Sequence, residues 1–291
     1  MTQQLRIAVI AIGIVVWTVS ASVPALAQGA KQESPEAQAH IAKAKELAGT
    51  RYATAQQRLC SPGRERRPVS SYPDTRLEPV RVFDNVYFVG LGSVYAWAVD
   101  TPDGIIMLDS LNDAEDAEVM IAGGLRKLGL DPARIRYVVV THSHGDHYGG
   151  SSYLKQKYGA RIVASDADWT VMEGMTSNRP ASFVAPPARD VSVKEGQTLT
   201  LGGTTLTFVM TPGHTPGAMS IFVSPVMDGN QRHVAAFLNG TATNSPEATR
   251  TLAASMERLA ARAKTAKVDI QFALTRSVAE LTTAWVQRQV E

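Results

Sequence analysis

The stretch VVVTHSHGDHYGG, residues 138–150, gathers three of the chain's six histidines, His142, His144 and His147, within six residues, with Asp146 among them. The β-branched run leading into it reads as a buried strand that ends in a tight turn. Two histidines two positions apart at a strand end can aim both imidazoles at one point, and Asp146 and His147 then face a second point nearby. Gly145 is expected to let the backbone turn between them without steric cost. Neutral imidazoles with a carboxylate are borderline ligands that suit zinc. A single strand histidine is more often structural, but three with an aspartate in so short a span point to a metal site.

Catalytic zinc takes three protein ligands and keeps a fourth position open. The stretch MTPGHTPGAMS, residues 210–220, offers the third histidine. His214 lies there between two Thr-Pro-Gly units, in a stiff loop that follows an expected strand at 204–211. By itself it would read as an ordinary loop histidine; beside the first cluster it reads as a ligand.

The rest of the chain sets the context. Of 291 residues, 44% are hydrophobic and 19% charged, which suits a soluble globular fold with a sizeable core. A net charge of +2, with no basic block beyond GRERR at 63–67, argues against nucleic acid as the main partner and leaves a small-molecule substrate open. Met1–Arg6 is polar with one positive charge, Ile7–Val19 is apolar, and Ala25 and Ala27 form a small-residue cleavage site. This is the pattern of a secretory signal peptide cut after Ala27, which predicts a periplasmic or secreted protein with no membrane attachment after cleavage; the alternative is a retained N-terminal anchor. The one cysteine, Cys60, allows no intramolecular disulfide.

Residues 28–79 are read as an N-terminal extension, with a short helix in AQAHIAKAKELAG that puts His40 on its surface, and 80–291 as the main domain. Within it, VRVFDNVYFVG, SVYAWAVDT and GIIMLDS predict an antiparallel meander. DAEDAEVMIAGGLRKLGL predicts a helix capped by Asn112 or Asp113 and ending near Gly129. IRYVVVTH, SSYLKQKYG and ARIVAS predict a strand, a helix and a strand, hence a parallel crossover, and DADWTVMEGM predicts a further helix. The second half repeats this order. GQTLTLGGTTLTFVMT is a hairpin, AMSIFVS and HVAAFLNG are strands, SPEATRTLAASMERLAARAKT is a long amphipathic helix, VDIQFAL is a last strand and SVAELTTAWVQRQVE a last helix. Two such halves predict a four-layer α/β sandwich with helices outside two facing sheets. WTVMEGMTSNRPASFVAPPARD, residues 169–190, reads as a loop near the metal whose Trp, Met and Phe either line an apolar wall or pack under it.

THSHGDH matches the H-x-H-x-D-H signature of the metallo-β-lactamase superfamily, and TPGHTPG its second histidine motif. The succession GIIMLDS, VVVTHSHGDHYGG, RIVAS, LTFVMTPGHTPGAMSIF resembles that superfamily from about residue 80 to about residue 240, and its subclass B3 most. The resemblance implies an αββα fold in which His142, His144 and His214 hold a first zinc and Asp146 and His147 contribute to a second. It further implies an exported hydrolase that opens β-lactam rings. Its nucleophile would be a hydroxide on zinc, formed because the metal lowers the pKa of bound water to about 7, with Asp146 orienting it and taking its proton. Asp109, ending MLDS, matches an aspartate that supports the metal loop in that family; read alone, it is equally a turn or capping residue.

The match is incomplete at the C-terminal end. The B3 pattern implies one more histidine after the strand in VDIQFALTRSVAELT, and no histidine follows His233. His233 opens its strand rather than ending it and is not recruited. Other branches, lactonases and thioesterases among them, use an aspartate or cysteine after the sixth strand, where AAFLNGTATN carries Asn239 and Thr241. The family's chains also continue with another strand and helix, so an incomplete C-terminal end is expected. The reading is therefore a complete first zinc site and a second short of ligands. Three functions follow: β-lactam hydrolysis, hydrolysis of a lactone, thioester or phosphoester on the same scaffold, or zinc binding with weak or no catalysis.

Overall fold

The computed structural model describes residues 34–50, 53, 76–175, 184–240 and 242–275. The expected signal peptide, Cys60, most of the expected N-terminal extension, Phe183 and the last helix expected from the sequence lie outside the described residues.

The first sheet has seven strands in chain order. Strands β1 (Val80–Phe83), β2 (Val86–Phe88), β3 (Trp97–Thr101) and β4 (Gly104–Leu108) form the expected antiparallel meander. Strands β5 (Ile135–Val139), β6 (Arg161–Ser165) and β7 (Val191–Val193) continue it in parallel. Every residue of β4 is buried, because the sheet is covered on both faces and its central strands read as unbroken apolar runs. The second sheet has the order β12-β11-β10-β9-β8. Its members are β8 (Thr198–Leu201), β9 (Thr204–Met210), β10 (Met219–Asp228), β11 (Gln231–Leu238) and β12 (Ile270–Ala273), and only the β11–β12 pair is parallel.

Side-chain alternation divides the core into layers. Ile105 and Met107 of β4 point to helices on the outer face, while Ile106 and Leu108 point to the second sheet. The outer helices are α2 (a continuous run of Ala114–Asp116, the π-helical turn Ala117–Ala122 and Gly123–Lys127), α3 (Gly145–Tyr148), α4 (Ser151–Tyr158) and α5 (Asp166–Gly174). Of the two caps the sequence offers for α2, Asp113 serves: its carboxylate accepts from the Asp116 N–H at 2.9 Å. The second sheet is backed by α6 (Pro246–Ala266), which starts at the Ser245 cap and buries Leu252, Ser255 and Leu259. Helices, sheet, sheet, helix make the αββα sandwich. Helix α1 (Pro35–Ala48) buries none of its residues, and His40 on it is exposed. No helix among the described residues is long and apolar enough to cross a membrane.

The sheets are joined by an aromatic cluster and by polar ties. Phe237 stacks on Phe272 at 4.7 Å between ring centroids and meets Trp97 edge-on at 5.6 Å. The Trp97 indole N–H donates to the Ala273 carbonyl at 2.8 Å, and Asn85 bridges to Pro225 and Met227. Two features depart from the sequence reading and a third decides between its alternatives. Strand β7 was not anticipated. The helix expected in DADWTVMEGM is α5, and its Trp169 and Met172 are fully buried in the helix-facing core, so of the two alternatives they pack beneath the surface rather than line a substrate wall. Gly145 has no positive φ; it opens helix α3, and a Cβ there would make only ordinary contact with Tyr148.

Phe237 is fully buried between the sheets. Phe237→Ala is expected to destabilise the protein by about 3–5 kcal/mol, measured as a lowered urea midpoint with an unchanged slope.

Candidate metal centre

The histidines gather where both sheets end. Strand β5 runs into Thr141 and His142, which are buried, and the chain then turns through Ser143 into α3. His144 occupies the position before the helix, with Asp146 and His147 in its only turn. The loop between β9 and β10 is closed by the Thr211 N–H bonded to the Ala218 carbonyl at 2.7 Å. Its glycines are required by close approach. A Cβ on Gly213, whose φ is 137°, would come within 2.5 Å of Leu252 on α6, and one on Gly217 within 2.1 Å of the Ser165 hydroxyl on the opposite side. The loop is wedged between the helices of the two outer layers, and His214 projects from its tip.

His142, His144 and His214 converge. The His142–His214 and His144–His214 ring centroids are both 4.6 Å apart, and His142 Nε2 lies 3.1 Å from His144 Nδ1. One nitrogen from each ring falls within 4.8 Å of the other two. Tetrahedral zinc with ligand nitrogens at about 2.0–2.1 Å needs nitrogen pairs about 3.3–3.4 Å apart, so the donor set fits a zinc ion with little adjustment. His142, Asp146 and His147 form a second group of the same compactness. The two groups share His142, and each residue offers one ligand atom. An ion in the first group therefore leaves only Asp146 and His147 for a second.

The surroundings select the ligating nitrogen. His214 Nδ1 donates to the Ala242 carbonyl at 2.5 Å, leaving Nε2 for a metal. His147 Nδ1 lies 2.6 Å from Asp109 Oδ2, which likewise leaves its Nε2. Asp109 is more than a turn residue. It is fully buried in the left-handed conformation (φ 62°), which costs a non-glycine residue on the order of 1 kcal/mol, and its carboxylate also accepts from the Thr141 N–H and hydroxyl at 2.8 Å each.

Burial keeps the converging imidazoles neutral. It pushes His142 well below the ordinary histidine value of 6.5, helped by the neighbouring histidines, and pushes His144 down to about 4, with His214 adding to the effect. His214 is lowered for the same reason, partly offset by its bond to Ala242. Burial also pulls on His147, but Asp109 and Asp146 outweigh it, and the net shift is upward. Three neutral imidazoles at neutral pH are three available lone pairs.

Two further residues frame the site, and the sequence reading missed one of them. Asn239, at the end of β11, is buried with its amide N–H donated to the Thr141 carbonyl at 3.0 Å and its oxygen accepting from Gly240. It is thereby a tether between the sheets. Asp168 on α5 was not singled out by sequence; its carboxylate binds Ser143, Thr215 and Gly217 around the histidines. His233, by contrast, pairs with Asp269 at 2.7 Å, away from the cluster.

The metallo-β-lactamase superfamily profile matches residues 89–224. Among solved structures, the subclass B3 metallo-β-lactamase BJP-1 of Bradyrhizobium japonicum is 30% identical and aligns over 74% of this chain and 84% of its own, with a TM-score of 0.59. A Cronobacter sakazakii metallo-β-lactamase described by its HARLDQ motif is 28% identical over 78% of this chain and 84% of its own, with a TM-score of 0.64. The chain belongs to the metallo-β-lactamase superfamily. A hydroxyacylglutathione hydrolase of Acidiphilium cryptum is 31% identical over 127 residues, and the match spans only 43% of that relative's length.

The depressed histidines predict acid sensitivity of the metal-free protein. Between pH 6.5 and about 4 the unfolded chain binds protons that folded His144 refuses, so this stability is present above 6.5 and lost as pH falls. His142 and His214 act in the same direction, while His147 and the buried Asp168, both shifted upward, oppose them. In chelator, Tm is expected to fall from pH 6.5 to pH 4, and His144→Ala to flatten that fall.

Proposed function

We propose that this chain is an exported zinc-dependent hydrolase whose substrates are β-lactams. The observation that carries this reading is the convergence of His142, His144 and His214 at the joint edge of two sheets, in a chain that aligns with 84% of a subclass B3 enzyme at 30% identity. When bound, zinc supplies a Lewis acid and makes a water-derived nucleophile available at neutral pH. The three imidazoles would hold the ion and leave one side of it open. Asp146, a third exposed with Oδ2 3.7 Å from His147 Nε2, faces that region and is placed to orient the attacking group and accept its proton. Asp109 would keep His147 and the β5 turn in register with it.

A thioester substrate is the second reading, supported by the similarity to hydroxyacylglutathione hydrolases. Against it stands the end of β11, where the thioesterase branch carries an acid: here Asn239 commits its amide to Thr141. Export, through cleavage after Ala27 to the periplasm or beyond, belongs to the same proposal and suits an enzyme acting on compounds that enter from outside.

Purified residues 28–291 supplied with zinc are expected to open a carbapenem, followed by loss of absorbance, and to lose that activity in chelator. Turnover of an acylglutathione thioester with none of any β-lactam would overturn the β-lactam reading. Asp146→Asn is expected to slow turnover by about 100-fold or more while the protein keeps its zinc, measured by steady-state kinetics alongside metal analysis.

A further inference from the structure

The two loops that carry the histidines come from different sheets, and one side chain ties them together. Asp168 sits in the first turn of α5 and is 1% exposed. Its Oδ2 accepts from the Ser143 backbone N–H at 2.9 Å and from the Thr215 hydroxyl at 2.7 Å. Its Oδ1 accepts from the Gly217 N–H at 2.8 Å. Ser143 stands between His142 and His144, and Thr215 directly follows His214. One carboxylate therefore grips the chain inside the first histidine pair and on the far side of the third histidine.

A buried carboxylate is costly unless hydrogen bonds satisfy it. Here three donors do so, two of them backbone groups that no substitution in the loops short of proline would remove, and bonds to an ionised acceptor are the stronger kind. Helix α5 contributes no ligand of its own, yet the Gly217 turn is pressed so closely on Ser165 and Asp168 that only glycine fits there. That close approach brings the donors of the second loop within reach of the carboxylate.

We propose that Asp168 is a positioning residue of the metal centre, setting the distance between the His142/His144 turn and the His214 loop and thereby the affinity and geometry with which the three imidazoles hold zinc. It touches neither metal nor substrate and acts through Ser143, Thr215 and Gly217. The inference rests on the three-histidine set holding zinc.

Zinc affinity by competition with a chromophoric chelator and the visible spectrum of the cobalt-substituted protein test this without reference to any substrate. Asp168→Asn puts an amide N–H against a donor it once accepted from, and is expected to weaken zinc about 10- to 100-fold and shift the cobalt bands. Thr215→Val removes only the hydroxyl donor and is expected to weaken zinc by less, while Thr215→Ser, which keeps that donor, restores wild-type affinity. If Asp168→Asn fails to fold, the Thr215 pair decides. A folded Asp168→Asn or Thr215→Val protein with wild-type affinity and an unchanged cobalt spectrum, even with a lowered Tm, would overturn the proposal. A wild-type chain that takes up no zinc would overturn it together with the metal-centre reading.

Discussion

Three imidazole nitrogens can meet at one point only if two β-sheets that contribute them separately are held in a fixed relation. His142 and His144 leave the end of β5, and His214 leaves the loop between β9 and β10. Between them lies the inter-sheet core, from Ile106 and Leu108 on one side to Phe208 and Ile221 on the other. Dense packing resists small displacements, so this layer sets the coarse spacing. Polar ties at the edge set the finer one. The Thr141 carbonyl accepts from both Met219 N–H and Asn239 Nδ2 at 3.0 Å, joining the end of β5 to two strands of the other sheet. The Asp168 carboxylate adds a third connection close to the ligands themselves.

The same arrangement governs the electrostatics. An imidazole surrounded by apolar walls and other imidazoles is held neutral, and the second nitrogen of His214 and of His147 is occupied by Ala242 and Asp109. His147 differs from the others because a buried carboxylate faces it, which favours its protonated form. One cluster thus contains neutral donors suited to a cation and one histidine coupled to acids. That asymmetry, with His142 shared between the two possible donor groups, makes the first group the one where three neutral protein atoms could hold an ion.

Much of this was legible in the residues. THSHGDH and TPGHTPG announce their chemistry through side-chain type and spacing, and the apolar alternation of GIIMLDS and LTFVM announces the strands that carry them. The less legible parts act through the backbone. Asp168 binds two backbone N–H groups and one hydroxyl from residues 25 to 49 positions away, and backbone donors leave no mark on side-chain identity. Its local pattern, Ser165 followed three positions later by an acid, reads as a helix cap, and the Ser165 hydroxyl does accept from the Asp168 N–H at 3.1 Å. Trp169 and Met172 lie three apart on one face of α5, and that spacing favours the packed alternative of the two the sequence left open, which their burial bears out. Strand β7 has three residues, too few for alternation to show. Asp109 was left between two roles because a turn and a metal support need the same residue type; its carboxylate binds Thr141 and His147, contacts made across the chain that no local pattern announces.

The central claim is that the joint edge of the two sheets holds one zinc ion on His142, His144 and His214. Anomalous diffraction from zinc-grown crystals, recorded on both sides of the zinc absorption edge, locates the metal without assuming any substrate. The account predicts a single strong peak within bonding distance of those three imidazoles. An empty trio, or a second peak of equal strength between Asp146 and His147, would contradict it.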